Sequence, residues 1–157
     1  MNVVKPAALV LVVSAALASI PAHAGQCKKI HADLDELQST QGCNPGLSGC
    51  FLGEVDGNHG LRGTTHFNAD SSVATSPSTS PNFIIYSGPF EYRTERGSIL
   101  ARETGVTTRG SEGVVTAYQQ IVSGTGEFAG ATGHFFVSGH KSGGVIETFV
   151  NGEICKP

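Results

Sequence analysis

The chain has no tryptophan, one methionine and only 7% aromatic residues, which limits how far a β-rich interior can be filled by large rings. Lysine and arginine are few and never clustered. That absence removes the electrostatic footprint of a nucleic-acid-binding or anionic-membrane-binding protein, and the formal net charge of -3 agrees. Gly-x-Ser-x-Gly is absent, as are Cys-x-x-Cys and any segment with the spacing of a P-loop. The apolar run Ala7 to Ile20 is short of the roughly 20 residues that span a bilayer.

That run follows Lys5 and precedes Ala22-His23-Ala24, a small-x-small pattern, so residues 1–24 read as a cleaved signal peptide and the protein as exported, periplasmic or secreted. No membrane association is expected after cleavage. The remainder suits one domain. All four cysteines, Cys27, Cys43, Cys50 and Cys155, lie beyond the cleavage site, an even count that predicts two disulfides rather than zinc.

Ile30, Leu34 and Leu37 recur at helical spacing between Lys28 and Gln41, and Gly42 supplies a stop, predicting a short N-terminal helical segment. Beyond Cys50 the pattern becomes short β-rich runs broken by Gly, Pro, Ser and Asn. Strands are expected near Cys50 to Asp56, Leu61 to Ala69, Phe83 to Thr94, Gly97 to Thr107, Gly113 to Val122, Gly133 to Ser138 and Val145 to Ile154. The Ser- and Pro-rich stretch Asp70 to Asn82 reads as a mobile surface loop. Tight links elsewhere favour antiparallel neighbours and an up-and-down barrel of seven or eight strands.

The expected organisation is therefore a signal peptide at 1–24, a disulfide-tied segment at 25–49 and a β-barrel at 50–157. In an even-stranded barrel the start of the first strand and the end of the last meet at one rim. With Cys50 opening the first strand, closure predicts Cys50 with Cys155 and leaves Cys27 with Cys43, although four cysteines allow three connectivities.

Gly124-Thr-Gly-Glu-Phe-Ala-Gly-Ala-Thr-Gly133 is the most patterned segment, with Gly124, Gly126, Gly130 and Gly133 around Phe128. It leads into the strand His134-Phe-Phe-Val137 rather than a helix, which excludes a dinucleotide fingerprint. A strand connection with Phe128 as packing anchor is the expected role. Together with Tyr86-Ser-Gly88, the stretch Gly97 to Gly113 and the terminal Asn151-Gly-Glu-Ile-Cys155, this hairpin resembles those of allene oxide cyclase barrel-like and dirigent-like proteins. The resemblance implies an eight-stranded antiparallel closed barrel whose interior binds a small apolar ligand or reactive intermediate and guides its cyclisation or coupling. No catalytic residue of those families is carried onto this chain by a matching motif.

His31, His59, His66, His134 and His140 are scattered and form no compact ligand set, so no metal and no cofactor is expected. The acid, base and orienting candidates are Tyr86, Tyr118, Glu54 and Glu103, with Glu91 a further acid, because a desolvated carboxyl and a phenol can share proton transfer at a ligand carbonyl. Alternation places Ile84, Tyr86, Gly88 and Phe90 on one face. Both faces of Gly113 to Val122 are mixed, so periodicity does not choose the inward one. The competing expectation puts Arg93, Arg96 and Arg102 with Glu91, Glu95 and Glu103 as charge pairs on the wet face. A non-catalytic secreted module acting through its surface loops is the alternative function.

Overall fold

The computed structural model describes residues 26–47, 49–75 and 83–157; the expected signal peptide and most of the Ser/Pro stretch lie outside these. Nine strands run in chain order: β1 Gln26–Gln38, β2 Cys50–Gly57, β3 Arg62–Asn68, β4 Ser71–Ala74, β5 Phe83–Thr94, β6 Gly97–Thr108, β7 Gly113–Gly124, β8 Thr132–Ser142 and β9 Val145–Lys156. All pairings are antiparallel, in the order β3-β2-β1-β9-β8-β7-β6-β5, and β3 pairs back onto β5 to close an eight-stranded barrel. The short β4 continues the place of β3 along the other half of β5, with a register offset after Asn68. The front of the Ser/Pro stretch is thus strand rather than loop.

The largest difference from the sequence reading is at the N-terminus. Residues 26–38 form a strand, not a helix, and β1 is a full stave between β2 and β9. Ile30 and Leu34 are four apart, a spacing that satisfies helical and strand periods alike. Ala32 and Glu36 complete an alternation of buried positions, and Leu37, which seemed to support the helix, is exposed. Pairing along both edges outweighs a weak local preference. The barrel accordingly begins at Gln26, not at Cys50.

The disulfides change with it. Cys27 pairs with Cys155, and Cys43 with Cys50, in place of the expected Cys50–Cys155 and Cys27–Cys43. The closure argument had the right geometry and the wrong first strand. Because β1 opens the barrel, Cys27 faces Cys155 in register across the β1–β9 seam. Two disulfides fit an oxidising, extracellular-type compartment. No helix among the described residues is long and apolar enough to cross a membrane.

The barrel is filled unevenly along its axis. At the end where β7 turns into β8, Ile30, Val55, Leu61, Tyr92, Ile99, Phe135 and Ile154 are buried and packed together. Phe128, in the 3-10 turn Gly126–Phe128, is buried against this cluster. Its turn needs the left-handed backbone of Gly126 (φ 58) and Gly130 (φ 71), which a side chain would strain. This hairpin plugs one mouth. Among the described residues nothing plugs the opposite mouth in the same way.

Candidate functional site

Inward positions of the open half come from every stave: Glu36 on β1, Phe51 on β2, Phe67 on β3, Ile84 and Tyr86 on β5, Glu103 and Thr107 on β6, Val115 on β7, Val137 and Lys141 on β8, Ile146 and Thr148 on β9. They line a cavity of about 370 Å³. Its walls mix apolar and aromatic side chains, Phe51, Phe67, Ile84, Val115, Val137 and Ile146, with polar groups from Glu36, Tyr86, Glu103, Thr107, Lys141 and Thr148. Arg109 and Lys141 stand at the lining's cationic side, with Lys141 donating to the carbonyl oxygen of Thr108. Burial lowers the pKa of Lys141.

A hydrogen-bonded relay crosses the floor. The Tyr92 hydroxyl donates to Gln119 Oε1 (2.6 Å), and Gln119 Nε2 donates to Glu103 Oε2. Tyr86 donates to the same Glu103 carboxyl. The Tyr86 ring sits edge-on to Phe67, with centroids 5.4 Å apart. It also lies over Gly105, where a Cβ would come within 2.5 Å of the Tyr86 hydroxyl. A glycine at 105 is what lets the phenol reach across to Glu103.

Burial pushes the Glu103 pKa up from 4.5 to about 7, and the bonds from Gln119 and Tyr86 hold it from rising further. Glu36, only 7% exposed, is raised well above the ordinary carboxylate range, first by burial and then by the charge of Glu103. Two carboxyls so enclosed do not both ionise at neutral pH. Burial and the neighbouring carboxylate favour the protonated form of Glu36, while Glu103 exchanges its proton near pH 7. Tyr86 and Tyr92 are both held neutral, chiefly by burial.

Of the four candidates named from sequence, the barrel brings two together, Tyr86 and Glu103. The other two point outward. Tyr118 is 40% exposed, donates to Gln120 Oε1 (2.7 Å) and stacks with His134 and Phe136 on the outer wall. Glu54 lies on the outer face of β2. Glu91 is also outside, paired with Arg93 at 2.6 Å. The expected wet-face pairs are only partly formed: Arg102 meets Asp70, Arg96 meets Glu127, and Glu103 is in the interior.

Glu36, Gln119 and Lys141 had no place among the sequence candidates. Glu36 was legible as the fourth member of the alternation Ile30, Ala32, Leu34, Glu36, once that segment is read as strand. β8 runs on to Ser142, past the strand end expected near Ser138, and so carries Lys141 to the cavity. Among the described residues, the group of potential metal ligands that comes closest together is Cys27, Glu153 and Cys155, whose two sulfurs are in the disulfide.

A larger hollow, about 860 Å³, lies against β1, β2 and β3 and is lined by Asp35, Glu54, His66 and Arg93 among others. Its lining is mostly outer-face and mixes charged, polar and apolar residues, and it also includes Glu36, Gly53 and Thr65 of the inner alternation. It offers little that would hold an apolar molecule. No family model, no curated protein and no solved structure matches this chain.

Proposed function

We propose that this protein is an exported small-molecule-binding barrel that holds an apolar ligand in its open half, with isomerase- or cyclase-type chemistry available at Glu103. The observation that carries the reading is the convergence of Glu103, Tyr86 and Glu36 on one cavity whose walls are partly apolar and aromatic. A carboxyl titrating near 7 in a water-poor site is matched to proton transfer at neutral pH. The likeness of its hairpin to allene oxide cyclase-like and dirigent-like barrels supports the same reading. Purified protein should take up Nile red, and the Glu103→Leu variant should keep the dye while losing any turnover found. Absence of dye uptake, with no co-purifying ligand by native mass spectrometry, overturns the proposal.

A second reading, a module that acts through its surface, is favoured by one observation on the outer wall. Tyr118, His134 and Phe136 form a mutually packed aromatic cluster, and Phe136 (56%) and Phe149 (62%) are largely exposed. Under that reading Phe136→Ser with Phe149→Ser abolishes partner retention and leaves dye uptake unchanged.

A further inference from the structure

Glu36 on β1 stands opposite Gly53 on β2, and Gly53 stands opposite Thr65 on β3, so the three residues lie abreast on the inner wall. Both flanking side chains lean over the glycine. A Cβ built on Gly53 would come 2.7 Å from Glu36 Cγ and 2.8 Å from Thr65 Oγ1. Glu36 is 7% and Thr65 2% exposed, yet Glu36 Oε1 and Thr65 Oγ1 have no hydrogen-bond partner. Buried polar atoms are nearly always partnered, and two orphans over one glycine point to a missing third group.

Glu36 lines the cavity of about 370 Å³, and Glu36, Gly53 and Thr65 all belong to the wall shared with the larger hollow. We propose that this notch is a subsite for the neutral carbonyl oxygen of a ligand held in the cavity beside Glu36. The inference rests on the small-molecule reading above and assigns it a chemistry. A carbonyl oxygen has two lone pairs and accepts one bond from the Glu36 carboxylic acid and one from the Thr65 hydroxyl. A carboxylate ligand would bring a second negative charge into a dry site that already holds Glu103. An ammonium would need Glu36 ionised against its burial, and would pass Arg109 and Lys141 at the lining. Neither charged class fits as well as a ketone or aldehyde.

The test compares 2-acetylnaphthalene with its near-isosteric hydrocarbon 2-isopropenylnaphthalene by fluorescence titration. In the wild-type protein the two dissociation constants define a ketone-to-hydrocarbon ratio, which cancels the shared apolar contact. Thr65→Val and Glu36→Met each remove a donor at nearly constant volume and should shift that ratio about tenfold against the ketone. Glu36→Gln keeps a donor and should shift it less than about threefold. Removing an unpartnered buried polar atom does not weaken a fold, so both donor-free variants should melt no lower than wild type. A ratio unchanged in Thr65→Val and Glu36→Met overturns the subsite, the notch then holding only a structural water. Failure of both probes to bind wild type overturns the subsite and the small-molecule reading together, whereas equal binding with no variant effect overturns the subsite alone.

Discussion

Glu103 is a buried carboxyl that costs the fold stability and offers it chemistry. Its pKa lies at about 7 in place of 4.5. At Glu103 the folded chain therefore holds a proton that the unfolded chain releases between those values, so its contribution to stability is lost as pH rises through that window, and the raised Glu36 adds a further loss in the same direction. At about 1.4 kcal/mol per pKa unit the loss at Glu103 is on the order of 3 kcal/mol. Glu103→Gln should remove the Glu103 share of this slope and leave that of Glu36, so that its melting temperature gains on wild type between pH 5 and pH 8. The two tyrosines singled out in the sequence separate in the same way. Tyr86 donates to Glu103 and helps the carboxyl ionise, so Tyr86→Phe should move the upper end of that window above pH 7. Tyr118→Phe should leave it unmoved, because that phenol is on the outer wall. Nothing local in the sequence separates these two tyrosines: each sits on an alternating strand, and the inward face of each strand is chosen by the staves around it.

At the scale of the element, β1 and the Gly124–Gly133 hairpin show opposite degrees of legibility. The hairpin was readable because its glycines demand a particular backbone wherever the chain goes. Phe128 in that turn plugs one end of the barrel, and Phe128→Ala should destabilise by about 3–5 kcal/mol in equilibrium denaturation. β1 was misread because Ile30 and Leu34 sit at a spacing common to both regular structures, and the deciding partners, β2 and β9, lie 12 or more residues away along the chain. The disulfides follow from that one strand. Cys27–Cys155 closes a separation of 128 residues and Cys43–Cys50 one of 7. On the chain-entropy model their removal should cost about 5 and about 2 kcal/mol respectively. Paired serine variants, compared by denaturant titration, check the order; a non-reducing peptide map that recovered Cys50 joined to Cys155 would reverse the assignment.

Across the whole molecule, the uneven filling of the barrel is what creates a site. The plugged half carries Tyr92, Ile99, Phe128 and Phe135 and is packed, while the open half spends Gly105, Thr107 and Thr148 on inward positions and leaves a cavity of about 370 Å³. An eight-stranded barrel has just enough interior for either outcome, so a few side chains decide it. Val137→Phe adds bulk to the lining and should lower Nile red affinity by tenfold or more, at a stability cost of about 1–3 kcal/mol. Unchanged affinity would mean that the dye sits elsewhere.

Composition and alternation by themselves determined an all-β domain, an antiparallel closed barrel and the glycine hairpin, since period-two patterning and turn glycines act within a few residues of themselves. The sequence also held the pairing of Tyr86 with Ile84 and Phe90 on one face. Only the tertiary structure decided that residues 26–38 are a stave, which cysteines meet, and that Glu36 joins Glu103 and Tyr86 in one dry cavity. The physical reason is closure. A strand reveals that its two faces differ, but which face is inside, and what stands across from it, is set by registers between segments remote in the chain.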